Sequence, residues 1–398
     1  MWQQLDVGAT DPILQMLAAY HADPNPDKID LGIGVYKDSA GNTPIFKAVK
    51  KAEKWLLKHE SSKAYLGPAG DVEFNTEISR LLLAEDYNPE TTLCLQTPGG
   101  TGALRVAGDL ISRARTHGCI WLSNPPWVTH RSIYQSAGLR LQYYRYFDPA
   151  TQSTDFTGMK EDLKEAMPGD VVLLQTTAHN PTGCNLSAEQ WEEIALLLRD
   201  REALPLLDIA YQGLDESLHA DLSATRIIRQ LCPEWIICYS ASKTFGLYNE
   251  RAGALLIKTS NSLSAVRQEA LNRICANYYM PPAHGAAIIR TILQSEELKN
   301  QWQQELADAR EQLKSNRMLF CNRLNAISAW QYRLLGQQKG MFSYLGLSER
   351  QLQYLRSEHS IYAGSGGRIN VAGISQNNVR TICDAILQCS KATALKAP

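Results

Sequence analysis

The 398-residue sequence predicts an α/β fold: a large domain with a mostly parallel sheet flanked by helices, plus a smaller α+β domain. Three observations predict it. Between residues 92 and 257, short apolar runs alternate with stretches of helical period, the signature of strand–helix–strand units. Past about residue 291 the texture changes to one long polar helical stretch followed by short runs broken by glycine. The chain is also too long for one ordinary core. Residues 45–290 are therefore assigned to the large domain, and 1–44 with 291–398 to the small domain and an N-terminal arm.

In chain order, a short amphipathic helix is expected over 12–20 and helices over 46–58 and 71–85. Leu31-Gly32-Ile33-Gly34-Val35-Tyr36 is a tight loop, in which Gly34 suits a plain turn as well as a close backbone approach. The loop Lys63–Gly70 carries a single tyrosine, Tyr65. Thr92–Gln96 reads as a strand that runs through Thr97-Pro98-Gly99-Gly100-Thr101-Gly102 into a helix starting at Ala103. A strand, a glycine-rich turn and a helix start bind phosphate through free backbone N–H groups and the helix dipole. Turns of this composition also simply connect elements, and this one matches neither a dinucleotide fingerprint nor a P-loop. Further strands are expected at 119–123, 171–176, 205–208, 235–239 and 253–257. Helices are expected at 103–116, 160–166, 188–200, 222–231 and 295–325, with the tail fraying from Lys391.

Composition narrows the function classes. At 44% apolar, 20% charged and net charge −1, the composition argues against a nucleic-acid or membrane-surface partner, each of which needs a basic face. No apolar run approaches the ~18 residues of a membrane span. The N-terminal Met1–Asp6 has no signal-peptide pattern, so a cytoplasmic location is expected. Nine cysteines at irregular spacing, with no CxxC pair, argue against zinc and against a disulfide framework; most read as buried small apolar residues, Cys275 apart.

In an open parallel sheet, ligands sit beyond the carboxyl ends of the strands. Here those ends carry Trp127, the His179-Asn180-Pro181-Thr182-Gly183 stretch, Asp208, Tyr211 and Ser240 to Lys243. Lys243 falls between two apolar strands, with hydroxyls just before it and Arg251 eight residues after it. A solvated loop lysine needs no such setting. A lysine that forms a Schiff base does, because partial desolvation lets its amine lose a proton near neutral pH. A glycine turn for phosphate, a ring for stacking, a strand-end carboxylate and a lysine together meet the needs of pyridoxal phosphate.

On those residues the chain resembles the class I aminotransferases of the aspartate/aromatic amino acid subgroup, from Gly8-Ala9-Thr10-Asp11-Pro12 to Asn370-Val371-Ala372-Gly373. The segments Gln96–Arg105, His179–Gly183, Asp208–Gly213 and Ser242–Arg251 carry the likeness. The resemblance implies a fold-type I enzyme working by two half-reactions. In it Lys243 is the Schiff-base residue and proton carrier, Asp208 the partner of the ring nitrogen, and His130 the buttress of that aspartate. Asn180 and Tyr211 match the groups that hydrogen-bond the cofactor's phenolic oxygen, and Trp127 the ring stacked on it. Gly100, Thr101, Ser240 and Arg251 match the phosphate binders. Tyr65 matches one that reaches in from a second subunit, which makes the enzyme a homodimer with shared sites. Arg368, with Asn180 and the backbone of Gly34, matches the grip on the substrate carboxylate, and Val35 and Phe342 line that pocket.

One stretch departs from the pattern. In dicarboxylate-using members an arginine precedes Ala-Asn-Tyr-Ser-Asn-Pro-Pro and pairs, across subunits, with the distal carboxylate. Here Cys275 precedes Ala276-Asn277-Tyr278-Tyr279-Met280-Pro281-Pro282. A buried carboxylate without a charged partner costs several kcal/mol. The expected amino donor is therefore aromatic or otherwise non-acidic. Arg273 lies two residues earlier, which on a helix is a different face. The alternatives are an aspartate aminotransferase with a repacked distal pocket, or a related enzyme of altered reaction (lyase, replacement or oxidase). A non-catalytic binding protein is disfavoured, because every cofactor group is present.

Overall fold

The computed structural model describes residues 2, 11–115, 119–328 and 332–394; Gly8, Ala9 and Thr10 lie outside them. Its centre is a seven-stranded sheet whose strands, in chain order, are β1 (Thr92–Pro98), β2 (Cys119–Asn124), β3 (Arg140–Arg145), β4 (Val171–Gln175), β5 (Leu204–Ile209), β6 (Trp235–Ser240) and β7 (Ala252–Lys258). The spatial order is β1-β7-β6-β5-β4-β2-β3. Neighbours from β6 to β3 run parallel, and β7 alone is reversed, pairing antiparallel with both β1 and β6. Every residue of β4 and β6 is buried, as expected of continuous apolar runs covered on both faces. The carboxyl ends of β1, β2, β4, β5 and β6 thus share one edge with the start of β7. That edge brings Pro98, Asn124, Gln175, Asp208, Ser240 and Arg251 together.

The expected strands are all present, each within a residue or two of its expected bounds. One expectation is corrected in a way that matters. The helix after β1 begins at Gly99, not Ala103, so the glycine stretch is its first turn and not a preceding loop. Glycines and a proline read as a breaker, yet a helix tolerates them in its first turn, where the N–H groups have no helical acceptor anyway. The helix expected at 160–166 lies at Phe156–Leu163, and the terminal helix Val379–Ala394 continues through Lys391 instead of fraying there. The strand β3 and the helices Val128–Ser136, Leu263–Asn277, Ala283–Gln294 and Glu349–His359 were not anticipated.

The long helix Glu296–Ile327 braces the site from outside the sheet. Its Trp302 is fully buried, stacks face to face on Phe245 at 4.4 Å, and donates its ring N–H to the Thr244 carbonyl at 2.8 Å. The four-residue helix Ala241–Thr244, which carries Lys243, is thereby held from behind. Trp302→Ala removes both the stack and the donor, and is expected to lower stability by about 3–5 kcal/mol, read as a lower urea midpoint. Away from the main sheet, Ile29–Asp30 pairs parallel with Ile361–Tyr362, and Phe342–Tyr344 pairs antiparallel with Arg368–Asn370. Among the described residues no helix is long and apolar enough to cross a membrane.

Candidate active site

A cleft of about 230 Å³ opens at the shared strand edge. It is lined by Gly34, Gly100, Thr101, Trp127, Asn180, Asp208, Tyr211, Ser240, Lys243, Arg251, Phe342 and Arg368, all named by the sequence reading. Four polar groups, Tyr211, Asp208, Arg251 and Arg368, converge around Lys243. Its amine stands 5.2 Å from the centre of the Tyr211 ring. Burial pushes that amine down from 10.5 to about 8, with Arg251 and Arg368 adding to the fall and the Asp208 carboxylate opposing it. Asp208, buried at the end of β5, is bonded through one carboxylate oxygen to His130 Nε2 at 2.9 Å. His130 is fully buried behind it, edge-on to Trp127 with ring centres 5.1 Å apart. It does not itself line the cleft.

On the other wall, Asn180 Nδ2 donates to the Tyr211 hydroxyl at 3.0 Å, while its Oδ1 accepts from Arg368 Nη1 at 3.2 Å. Burial raises the Tyr211 hydroxyl well above its ordinary value, so Tyr211 keeps its proton and remains a donor. Arg368 Nη2 donates to the Gly32 carbonyl at 2.7 Å, and the guanidinium lies 4.5 Å from the centre of Phe342. Gly34 is a close approach and not merely a turn: a Cβ there would stand 2.9 Å from Phe342 Cζ.

The third side is an anion cradle. Pro98, at the start of the helix that begins at Gly99, makes no side-chain cap, so the first N–H groups, of which Gly100 and Thr101 line the cleft, have no capping acceptor. A Cβ at Gly99 would stand 2.5 Å from Arg251 Nη2, and one at Gly100 2.8 Å from Ser240 Cβ. Only glycine leaves that space. Arg251 sits at φ +54°, in the left-handed region that costs a non-glycine residue of order 1 kcal/mol. Its Nη1 donates to Ser242 Oγ at 3.0 Å and to the Tyr248 carbonyl at 3.1 Å. Backbone N–H groups, hydroxyls and a guanidinium form a donor set that fits a phosphate. The lysine, the carboxylate and the Trp127 ring fit the rest of pyridoxal phosphate.

Four residues named from the sequence are not in this cleft. Val35 presents its carbonyl to Asn370 instead. His130 acts through Asp208, as above. Tyr65 is 84% exposed, and Cys275 is also exposed; neither lines the cleft of its own chain. Two residues were missed. Gln175, the polar end of an apolar strand, bonds both backbone groups of Asn180, through Nε2 to the carbonyl and Oε1 from the N–H, each at 2.9 Å. Ser242 orients Arg251; its signal was the hydroxyl beside the lysine. His179, by contrast, is a core residue. It is bonded to Thr182 and Ser123, stacked on Tyr146, and pushed down to about 3 mainly by burial, so it stays neutral.

Residues 26–386 match the family model described as aminotransferase class I and II. The chain is 41% identical to the aspartate aminotransferase of Escherichia coli (strain K12), over 97% of this chain and 99% of that one. It is 44% identical to the tyrosine aminotransferase of Rhizobium meliloti (strain 1021), over 94% and 96%. The crystal structure of an aromatic-amino-acid aminotransferase from Burkholderia pseudomallei, covalently bound to pyridoxal phosphate, superposes with a TM-score of 0.93 at 35% identity, covering 98% of this chain and 99% of that one. With a cleft whose donors fit the same cofactor, the chain belongs to the class I and II aminotransferase family and is a pyridoxal-phosphate-dependent aminotransferase of fold type I.

Proposed function

We propose that the enzyme moves the amino group of an aromatic or other non-acidic L-amino acid to a 2-oxo acid, in the cytoplasm, as a homodimer. The observation that carries the substrate class is the stretch from Arg273 to Met280. Cys275 offers no positive charge, and Arg273 is committed to Glu269 at 3.0 Å. Tyr279 is 63% exposed, at φ +68°, and packs edge-on against Tyr65 with ring centres 6.4 Å apart. Two exposed tyrosines beside an uncharged position suit an aromatic side chain and not a carboxylate. Because neither tyrosine serves its own cleft, their exposure supports delivery to the cleft of a second copy. The pairing of Ile29–Asp30 with Ile361–Tyr362 supports grouping 1–44 with 291–398 as a small domain.

In this reading the cradle of Gly100, Thr101, Ser240 and Arg251 holds the cofactor phosphate, joined by Tyr65 of the second copy. Trp127 would stack on the ring, Asp208 would place its carboxylate at the ring nitrogen, and His130 holds Asp208 in place. Asn180 and Tyr211 would hydrogen-bond the phenolic oxygen. The bound cofactor supplies an electron sink for the bond broken at the substrate α-carbon. Arg368, Asn180 and the backbone of Gly34 fix the substrate carboxylate, so that the Cα–H bond faces the lysine. Lys243 Nζ, neutral above about pH 8, takes that proton and gives it back at the other end of the 1,3-shift. The test is a single-turnover panel of amino acids followed by the cofactor's visible absorbance. The kcat/KM for phenylalanine, tyrosine or tryptophan is expected to exceed that for aspartate at least tenfold. Aspartate at or above the aromatics would overturn the assignment.

A further inference from the structure

Arg368 is held by a backbone segment that is itself bolted in place from two sides. The segment Gly32–Tyr36 gives Arg368 its acceptor, the Gly32 carbonyl, at 2.7 Å. Asn370 lies two residues beyond Arg368 on the same short strand, and so on the same face. Its Nδ2 donates to both the Ile33 and the Val35 carbonyls, each at 2.7 Å, and its Oδ1 accepts from the Ala372 N–H at 3.0 Å. The amide therefore clamps the two carbonyls that flank Gly34. At the far end, the Tyr36 N–H donates to the Tyr248 hydroxyl at 2.8 Å. The Tyr248 carbonyl in turn accepts from Arg251. Asn370 is buried, Tyr248 is largely so, and neither lines the cleft.

We propose that Tyr248 and Asn370 are positioning residues for the substrate-carboxylate site, acting through the Gly32–Tyr36 segment on Arg368 and Gly34. Remove the Asn370 amide donors and the Val35 carbonyl loses its side-chain partner while the Ile33 carbonyl keeps only the Val35 N–H at 3.0 Å, so the segment relaxes and carries the Gly32 acceptor with it. Arg368 Nε is buried and makes no hydrogen bond among the described residues, so the direction of the guanidinium depends on the two bonds made by Nη1 and Nη2. A misplacement of about 1 Å costs on the order of 100-fold, so a smaller loosening of this grip costs less and is read first in the binding of the carboxylate. Through Tyr248, the turn that presents Arg251 also sets the loop that aims Arg368, which ties the two anion sites into one frame.

The proposal rests on Arg368 being the carboxylate grip, so the experiment tests that separately. Holoenzyme variants Tyr248→Phe, Asn370→Asp and Arg368→Lys are compared with wild type for kcat, for KM of phenylalanine, and for Ki of 3-phenylpropionate, a carboxylate without an amino group. Tyr248→Phe removes one oxygen. Asn370→Asp keeps the shape and the acceptor for Ala372 but turns an oxygen toward two carbonyls. Expected are rises in KM and Ki of roughly three- to tenfold for Tyr248→Phe and tenfold or more for Asn370→Asp, with kcat within threefold and the cofactor's absorbance and its pH titration unchanged. In the Arg368→Lys background the same two substitutions should add little, since they act through the residue already lost. If Arg368→Lys leaves KM and Ki unaltered, the carboxylate reading falls, and this proposal with it. If Arg368→Lys raises both while Tyr248→Phe and Asn370→Asp stay at wild-type values, only this proposal falls. It falls equally if the variants lower kcat or perturb the cofactor's titration with KM intact, or if their effects are fully additive with Arg368→Lys.

Discussion

Lys243→Ala is expected to lower kcat by about 10⁴-fold or more and, at the same time, to make the apoprotein more resistant to heat. A positioned proton carrier alone contributes up to about 10⁴-fold, and this residue is also the covalent anchor that the resemblance implies. The stabilising half of the result follows from the low value of its amine. Free lysine titrates near 10.5, whereas Lys243 is held at about 8, chiefly by burial. Below pH 8 the amine is charged in both folded and unfolded chains, and the fold carries the full cost of burying that charge. Between about 8 and 10.5 the unfolded chain binds the extra proton, so apoprotein stability climbs with pH across that window. Alanine removes the cost. The gain in Tm over wild type should therefore be greatest below pH 8 and gone by about 10.5, which thermal melts of the two apoproteins across this range would measure. A variant that kept the visible absorbance of the lysine-bound cofactor, or that turned over within tenfold of wild type, would remove Lys243 from its role.

Cys275→Arg is the second large effect. It should raise kcat/KM for aspartate roughly 100-fold and lower it for phenylalanine, because truncating one partner of a buried charge pair typically costs 2–5 kcal/mol and each 1.4 kcal/mol is tenfold. Cys275 is exposed on its own chain, so the longer side chain meets no packed core there. Steady-state kinetics with both donors is the check. An unchanged aspartate value in an otherwise active variant would mean that this position does not face the substrate.

The legible parts of the sequence were those where a single physical demand dominates. Runs such as Val171–Gln175 and Trp235–Ser240 are buried on both faces and had to be apolar throughout. β3, an edge strand of sequence RLQYYR with four exposed residues, carries no such pattern and was missed. The helix Leu263–Asn277 buries only Ala270 and Ile274, too little to leave a clear apolar stripe. The start at Gly99 was misread because glycine and proline signal a break everywhere except at a helix's first turn. Within the site, Lys243, Asp208 and Arg251 could be found from strand-end chemistry. Asn370 and Tyr248 could not: their importance lies in which distant carbonyl or N–H they reach, and local sequence does not encode that.

The reversal of β7 has a mechanical consequence. Lys243 and Arg251 stand at the two sides of one hairpin, and the ladder pairs Gly253 with Ser240 across it. The separation between the amine and the guanidinium is thus gauged by main-chain hydrogen bonds and by the count of residues in the turn, as the jaws of a caliper are set by its beam. A change of side chain elsewhere in the protein can alter what enters the cleft without altering that gauge. Insertion or deletion of even one residue between 244 and 250 would reset it.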